Sequence, residues 1–341
     1  MERILAINVS RIGDTLLATP ALRALGQRQG VILDVLAHPK RREVLEGLPF
    51  IHRLGSITPT RAKWWLLFRW LLGRKPDYDL AVVWGQDEPL VRYALARARR
   101  VVAYCQEDDG LNRQLTPAVP VPDRTLHAVR QRLALVTPLQ LPLQGKWLSY
   151  QVKPEEKAWA QALLAEKGAC GPWVGLQLKS FHTKSHRDWP LDSFCQLVER
   201  LLKAYPQAGI LILGGPESRG EAAEMAARFP GKVLPLSGRL SLRQAGAVMS
   251  CLDLYVGVDT GPSHLAGALG IPMVVLYHCA YPASVYGPLE RPLAQTIDHP
   301  ALAQGDQAVT HSMADIGVDQ VWAAVAERLA SVASRKEAKP S

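Results

Sequence analysis

The chain has 341 residues, 48% of them hydrophobic, and a formal net charge of +9 at pH 7. That length and apolar content can bury one or two sizeable cores, and two domains is the better expectation. There is no run of about eighteen uncharged apolar residues, and no basic region, apolar run and cleavage site at the N-terminus, so neither a membrane-spanning helix nor a signal peptide is expected.

Read in chain order, the first strand-like run is Arg3 to Val9. Ser10-Arg11-Ile12-Gly13-Asp14-Thr15 follows, and then Leu16, Leu17, Ala21, Leu22 and Leu25 at helical spacing. Further strands are expected at 31–37, 79–84, 101–104, 173–178, 208–214, 232–236, 252–258 and 272–277. Helices are expected at 15–28, 86–98, 154–167, 191–204, 217–228, 241–251, 262–269 and 318–333. This alternation predicts an α/β protein with parallel sheets covered by helices on both faces. Thr116 to Gly145 holds five prolines and little periodicity, which puts a domain boundary near residue 150. The expected organisation is 1–150, 151–333 and a polar, disordered tail at 334–341. Cys105, Cys170, Cys195, Cys251 and Cys279 form no C-x-x-C pair and are odd in number. They read as small hydrophobes in a reducing compartment.

Charge is unevenly distributed. Residues 1–150 carry 22 Lys and Arg against 13 Asp and Glu, whereas 151–341 carry 18 of each kind. Lys40-Arg41-Arg42, Arg97, Arg99 and Arg100, and Arg61, Lys63, Arg69, Arg74 and Lys75 supply the excess. Any one cluster reads as a solvated surface, but the asymmetry as a whole favours an anionic partner. No nucleic-acid-binding module accompanies it, and a nucleic-acid partner is not expected. Lys63 to Leu72 (KWWLLFRWLL) holds three Trp within seven residues, too short a run to cross a bilayer. Two readings stay open: a helix packed on the sheet, or a segment lying at a membrane interface.

Two strand-to-helix turns carry the chemistry. After Leu254 to Val258 comes Asp259-Thr260-Gly261-Pro262-Ser263-His264, then an alanine-rich run ending at Gly270-Ile271-Pro272. A helix start of this kind leaves backbone N–H groups unpaired at the positive end of the helix dipole, where an anion can sit. The alternative is an ordinary N-cap by Asp259 or Thr260. The first turn, Ser10 to Thr15, opens a Rossmann-like unit but lacks G-x-G-x-x-G, so a dinucleotide-dependent dehydrogenase is not indicated. Asp14 there is either a helix cap or a base facing the ligand.

These residues carry a family resemblance. SRIGDTLLATPALRAL resembles the opening signature of glycosyltransferase family nine, the ADP-heptose:lipopolysaccharide heptosyltransferases, and GVDTGPSHLAGALGIPMVVLY resembles its C-terminal signature. Between them, His186-Arg187-Asp188-Trp189-Pro190 resembles the family's Lys-x-Trp-Pro segment and Gly214-Gly215-Pro216-Glu217 its Gly-Gly-x-x-Glu turn. The four motifs are collinear and span nearly the whole chain.

The resemblance implies two Rossmann-like domains facing a cleft, of glycosyltransferase-B type, with the last helix packing back on the first domain. It implies an inverting transfer of heptose from ADP-heptose to the lipopolysaccharide inner core. The location it implies is cytoplasmic, peripheral on the inner face of the cytoplasmic membrane, with transient contact to that surface. Asp14 matches the general base. Arg187, Glu217, Asp259, Thr260, Gly261 and His264 match the donor site, with Lys184 as the alternative cation. Ser10, Arg11 and Gly13, with Arg61 and Lys63 of the basic half, are the candidate contacts to an anionic lipopolysaccharide-precursor acceptor. The resemblance implies no tightly bound metal, and the one Asp-x-Asp, Asp77-Tyr78-Asp79, lies outside the four motifs, so neither a metal nor another cofactor is expected. Two positions depart from the family pattern: Arg187 stands where Lys is usual, and His278-Cys279-Ala280-Tyr281-Pro282 replaces Gly-Pro-Thr. Another nucleotide sugar, a related epimerase, or an inactive nucleotide-binding assembly module remain alternatives.

Overall fold

A computed structural model describes residues 1–69, 76–168 and 171–337, apart from the side chains at 69, 182, 336 and 337. Trp70 to Lys75, Cys170 and the tail at 338–341 lie outside the described residues. Contacts divide the chain into two compact units, Met1–Gln151 and Val152–Ser341.

The first unit is built on strands β1 (Glu2–Asn8), β2 (Val31–Ala37), β3 (Arg53–Ser56), β4 (Tyr78–Trp84), β5 (Ala98–Tyr104) and β6 (Ala118–Val119). All neighbours run parallel in the order β3-β2-β1-β4-β5-β6. The second unit repeats the plan with β7 (Trp173–Gln177), β8 (Gly209–Leu213), β9 (Val233–Pro235), β10 (Leu254–Val258), β11 (Met273–Tyr277) and β12 (Ala294–Asp298). Its order, β12-β11-β10-β7-β8-β9, is the same topology, again all parallel. Each sheet therefore reverses direction once, between β1 and β4 and between β7 and β10. Ligands of such sheets bind beyond the carboxyl ends of the strands at that reversal.

The sequence explains why these strands sit inside. Ile4, Leu5, Ala6 and Ile7 of β1 are all buried, as are all five residues of β10, because a parallel sheet is covered on both faces. Helix Leu191–Ala204 supplies Phe194, Leu197, Val198 and Leu201 to the second core, a stripe at helical spacing.

Nine strands were expected and all nine occur; β3, β6 and β12 were not anticipated. All three lie at sheet edges, where β3 and β12 are only partly buried and β6 has two residues, so none shows the apolar run of a central strand. The single helix expected at 15–28 is two, Ile12–Leu17 and Thr19–Gly26. Pro20 has no N–H to continue the first ladder, and Thr19 Oγ1 donates to the Leu16 carbonyl at the break. The final helix, Val318–Glu337, runs past the expected end at 333. Its Val321, Ala324, Val325 and Leu329 join the core of the second unit, against helix Leu191–Ala204 and strands β10 and β11.

Candidate functional site

In the second unit the reversal point brings together the loop after β7 and the turn after β10. The loop is fixed by its own polar groups: the Ser180 N–H donates to Asp188 Oδ1 at 2.6 Å, and Ser180 Oγ donates to the Lys184 carbonyl at 2.6 Å. Trp189 anchors its far end. The indole is buried, packs edge-on to Phe194, and donates through Nε1 to the Ile316 carbonyl at 2.9 Å. The Trp-Pro pair is thus a mooring that aims Arg187, and Pro190 leads directly into helix Leu191–Ala204.

Arg187 Nη1 donates to Asp259 Oδ2 at 2.8 Å, and both side chains are almost fully enclosed, at 7% and 4% exposure. The guanidinium carbon lies 3.4 Å from the centroid of the Tyr281 ring, a cation–π stack that a planar guanidinium makes better than an ammonium does. Arg187 Nε is buried with no hydrogen-bond partner. His264, one turn into helix Gly261–Leu269, sets Nε2 3.8 Å from Asp259 Oδ1. Lys184 Nζ lies 5.9 Å from the Tyr281 ring centre.

Thr260 is the N-cap of helix Gly261–Leu269, extended in backbone, with no side-chain cap; its hydroxyl donates to the Val258 carbonyl at 3.3 Å. Ser263 Oγ donates to the same carbonyl at 2.6 Å and also meets the Tyr255 hydroxyl at 3.0 Å. Burial holds the Tyr255 phenol well above its usual pKa, so it stays protonated as a structural hydrogen-bonding group. In the first turn Pro262 has no N–H and the Ser263 N–H donates to the Thr260 carbonyl at 3.1 Å, which leaves the Gly261 N–H as the amide without an intrahelical acceptor. Glu217 stands exposed on the turn after β8. That turn needs Gly214, whose φ is +133° and whose added Cβ would meet Ser218 Oγ at 2.9 Å.

The departing loop after β11 also holds His278. Its Nδ1 accepts the Ala280 N–H at 3.1 Å and its Nε2 pairs with the His311 carbonyl at 3.0 Å. Only the neutral, Nε2-protonated ring can make both bonds, and burial lowers its pKa accordingly. His299 repeats the pattern with Ala301 and Ser312. Both rings pin loops to the strand ends and have no nitrogen left for a ligand. Among the described residues no group of three or more His, Cys, Asp or Glu is arranged to hold a metal ion.

In the first unit, Asp14 lies in the first turn of helix Ile12–Leu17, whose N-cap is Arg11. The carboxylate does not cap the helix: it accepts from Arg132 Nη2 at 2.8 Å and remains 40% exposed. Arg132 is held in turn by Trp84 at the end of β4, which donates through Nε1 to the Arg132 carbonyl at 3.0 Å. Tyr104, at the end of β5, donates to the neighbouring Gln131 carbonyl at 2.6 Å. Ser10 Oγ donates to the buried Asn8 Oδ1 at 2.5 Å, while Arg41 Nη1 donates to the Ser10 carbonyl at 3.1 Å. Arg11 is exposed, and Gly13 is partly buried beside Asp14. Arg61 and Lys63 stand elsewhere, exposed on helix Pro59–Arg69, which packs on helix Glu88–Arg97.

Two contributors were not foreseen from the sequence. Arg132 lies in the proline-rich stretch that reads as a boundary, and Tyr281 lies in a loop legible only as a departure from a pattern. The signal available for Tyr281 was that departure itself, paired with the Lys-to-Arg change at Arg187.

Strand-to-helix turns at the reversal points of two parallel sheets define a protein of two Rossmann-like units, each with its ligand-binding crevice at the strand ends. The glycosyltransferase family 9 (heptosyltransferase) model matches residues 91–303. A lipopolysaccharide heptosyltransferase 3 from Escherichia coli is 24% identical over 283 residues, 78% of this chain and 80% of that protein. A crystal structure of a glycosyl transferase family 9 protein from Veillonella parvula superposes with a TM-score of 0.82 at 18% identity, covering 97% of both chains. The E. coli ADP-heptose LPS heptosyltransferase II superposes with a TM-score of 0.76 at 21% identity, over 97% of this chain and 99% of that one. The chain belongs to glycosyltransferase family 9 (heptosyltransferase) and is a glycosyltransferase.

The Arg187–Asp259 pair generates a stability prediction. Arg187→Ala or Asp259→Ala alone leaves a buried charge uncompensated and should cost about 3–5 kcal/mol. The double variant should lose much less than the sum. Urea unfolding of the three variants checks this; additive losses would mean the two groups do not depend on each other.

Proposed function

We propose that this chain is an inverting heptosyltransferase of the lipopolysaccharide inner core, moving heptose from ADP-heptose to an anionic lipid-linked acceptor. The observation that carries the reading is the position of its two family-like turns, each at the carboxyl end of the strand where its sheet reverses. The names of the relatives support the donor and the product: one is an ADP-heptose LPS heptosyltransferase and another a lipopolysaccharide heptosyltransferase.

The transferred sugar passes through an oxocarbenium-like state while negative charge grows on the departing diphosphate. Asp14 takes the proton of the acceptor hydroxyl as that oxygen attacks the anomeric carbon. Arg132 holds the carboxylate in one orientation, and its partial exposure leaves an oxygen within reach of substrate. The leaving diphosphate sits at the start of helix Gly261–Leu269, against the Gly261 amide and beside the unpartnered Nε–H of Arg187. Lys184 adds positive charge at the same loop, Glu217 contacts the nucleoside, and Asp259 and His264 complete the donor site. Ser10, Arg11, Gly13, Arg61 and Lys63 receive the acceptor. The protein works at the inner face of the cytoplasmic membrane as a peripheral enzyme; no helix among the described residues is long and apolar enough to cross a bilayer.

Asp14→Asn should abolish sugar transfer while ADP affinity stays at the wild-type value, since the carboxylate serves the acceptor alone. Isothermal titration with ADP beside a turnover assay measures both, and a fully active Asn variant would remove Asp14 from the mechanism.

The donor site yields a second expectation. Thr260→Ala should lower turnover, and loss of one preorganised donor in comparable sites costs on the order of 10²-fold. Tyr281→Ala should weaken ADP binding by about 3- to 30-fold, the worth of a desolvated cation–π contact, with Tyr281→Phe near wild type. Wild-type kinetics in both Ala variants would place the phosphate site elsewhere.

A further inference from the structure

Helix Pro59–Arg69 has two faces of different character. Its inner face is docked: Ala62 is buried, and Trp65 meets the Tyr93 ring edge-on at 4.7 Å with the Arg97 guanidinium 5.4 Å from its centre. Its outer face carries Trp64, Leu67 and Phe68, which are 58%, 64% and 54% exposed. The Trp64 and Phe68 rings stack on each other at 6.2 Å, one helical turn apart. At about 100° per residue, the exposed side chains run in the order Lys63, Leu67, Thr60, Trp64, Phe68, Arg61 across roughly 160° of the helix surface. The apolar residues occupy the middle of that arc, and a basic side chain stands on each edge.

We propose that this face is a docking surface for an anionic lipid bilayer. An apolar stripe rimmed by Lys and Arg is the arrangement that lets a helix lie in the interface, ring side toward the acyl boundary and cations toward phosphate. The surrounding charge has the required sign, because the unit bearing the helix holds the whole positive excess of the protein. A stable protein partner fits less well. Such interfaces bury about 800 Å² on each side, and three side chains on one helix supply a fraction of that. The inner packing presents the stripe on an already formed helix, so binding does not carry the cost of folding it. The inference deepens the peripheral location proposed above, and it assigns that location to three side chains with no part in donor or acceptor chemistry.

The test uses the full-length protein and sedimentation with vesicles of equal parts phosphatidylglycerol and phosphatidylcholine, beside vesicles of phosphatidylcholine alone. Wild type should bind the anionic vesicles, bind the neutral ones much less, and release as salt rises within the screening range. Replacing Trp64, Leu67 and Phe68 together by Ser should weaken binding to anionic vesicles roughly tenfold or more. The same variant should keep wild-type ADP affinity and wild-type turnover on a deacylated, water-soluble acceptor. Leu67→Asp, a single change at an exposed position, gives the same comparison should the triple variant not fold. Wild type that ignores anionic vesicles, or variants that bind them as well as wild type, overturns the proposal. Absence of transfer to any acceptor by the wild type would refute the enzymatic reading and leave the vesicle result standing on its own.

Discussion

The second unit depends on one buried ion pair. Arg187 comes from the loop after β7 and Asp259 from the turn after β10, so their 2.8 Å contact ties together the two strand ends that flank the reversal of the sheet. Two charges taken out of water repay their desolvation only when geometry is good and further partners are present. Asp259 has His264 near its second oxygen, and Arg187 has the Tyr281 face. The pair therefore holds three segments in register, the β7 loop, the β10 turn and the β11 loop, around a guanidinium with one donor still unused.

Arg187 and the loop after β11, the two places where the chain departs from the pattern it otherwise resembles, touch each other here. A Lys at position 187 would place a point charge on a flexible stem, with no planar surface to stack. An Arg can lie flat against Tyr281 while it pairs with Asp259 edge-on. The loop His278 to Pro282 brings the aromatic ring that the guanidinium needs, and His278 fastens that loop through two backbone hydrogen bonds. In this chain position 187 and the loop meet in one contact.

The central strands were legible because burial on both faces writes continuous apolar runs, as in Ile4 to Ile7 and Leu254 to Val258. Edge strands β3, β6 and β12 were not, since half-buried backbone pairs without an apolar run. The turns bearing Asp14 and Thr260 were legible from local pattern: strand, short Gly-containing turn, helix. What the pattern could not supply was partnership at long range. Arg132 reaches Asp14 across 118 residues and Tyr281 reaches Arg187 across the sheet, and neither residue has a neighbour in sequence that announces the contact. The tryptophan-rich helix was ambiguous for a related reason: Trp65 and Trp64 are adjacent in sequence, yet one packs inward and the other faces out.

Transfer of heptose from ADP-heptose to a lipid-linked inner-core acceptor is the activity proposed for this chain. The most direct measurement is mass spectrometry of that acceptor after incubation with the purified protein and ADP-heptose, with ADP release followed in the same samples. The acceptor should gain the mass of one heptose, with one ADP released for each transfer. An unmodified acceptor beside efficient use of a different nucleotide sugar, or ADP release with no gain in acceptor mass, would contradict that activity.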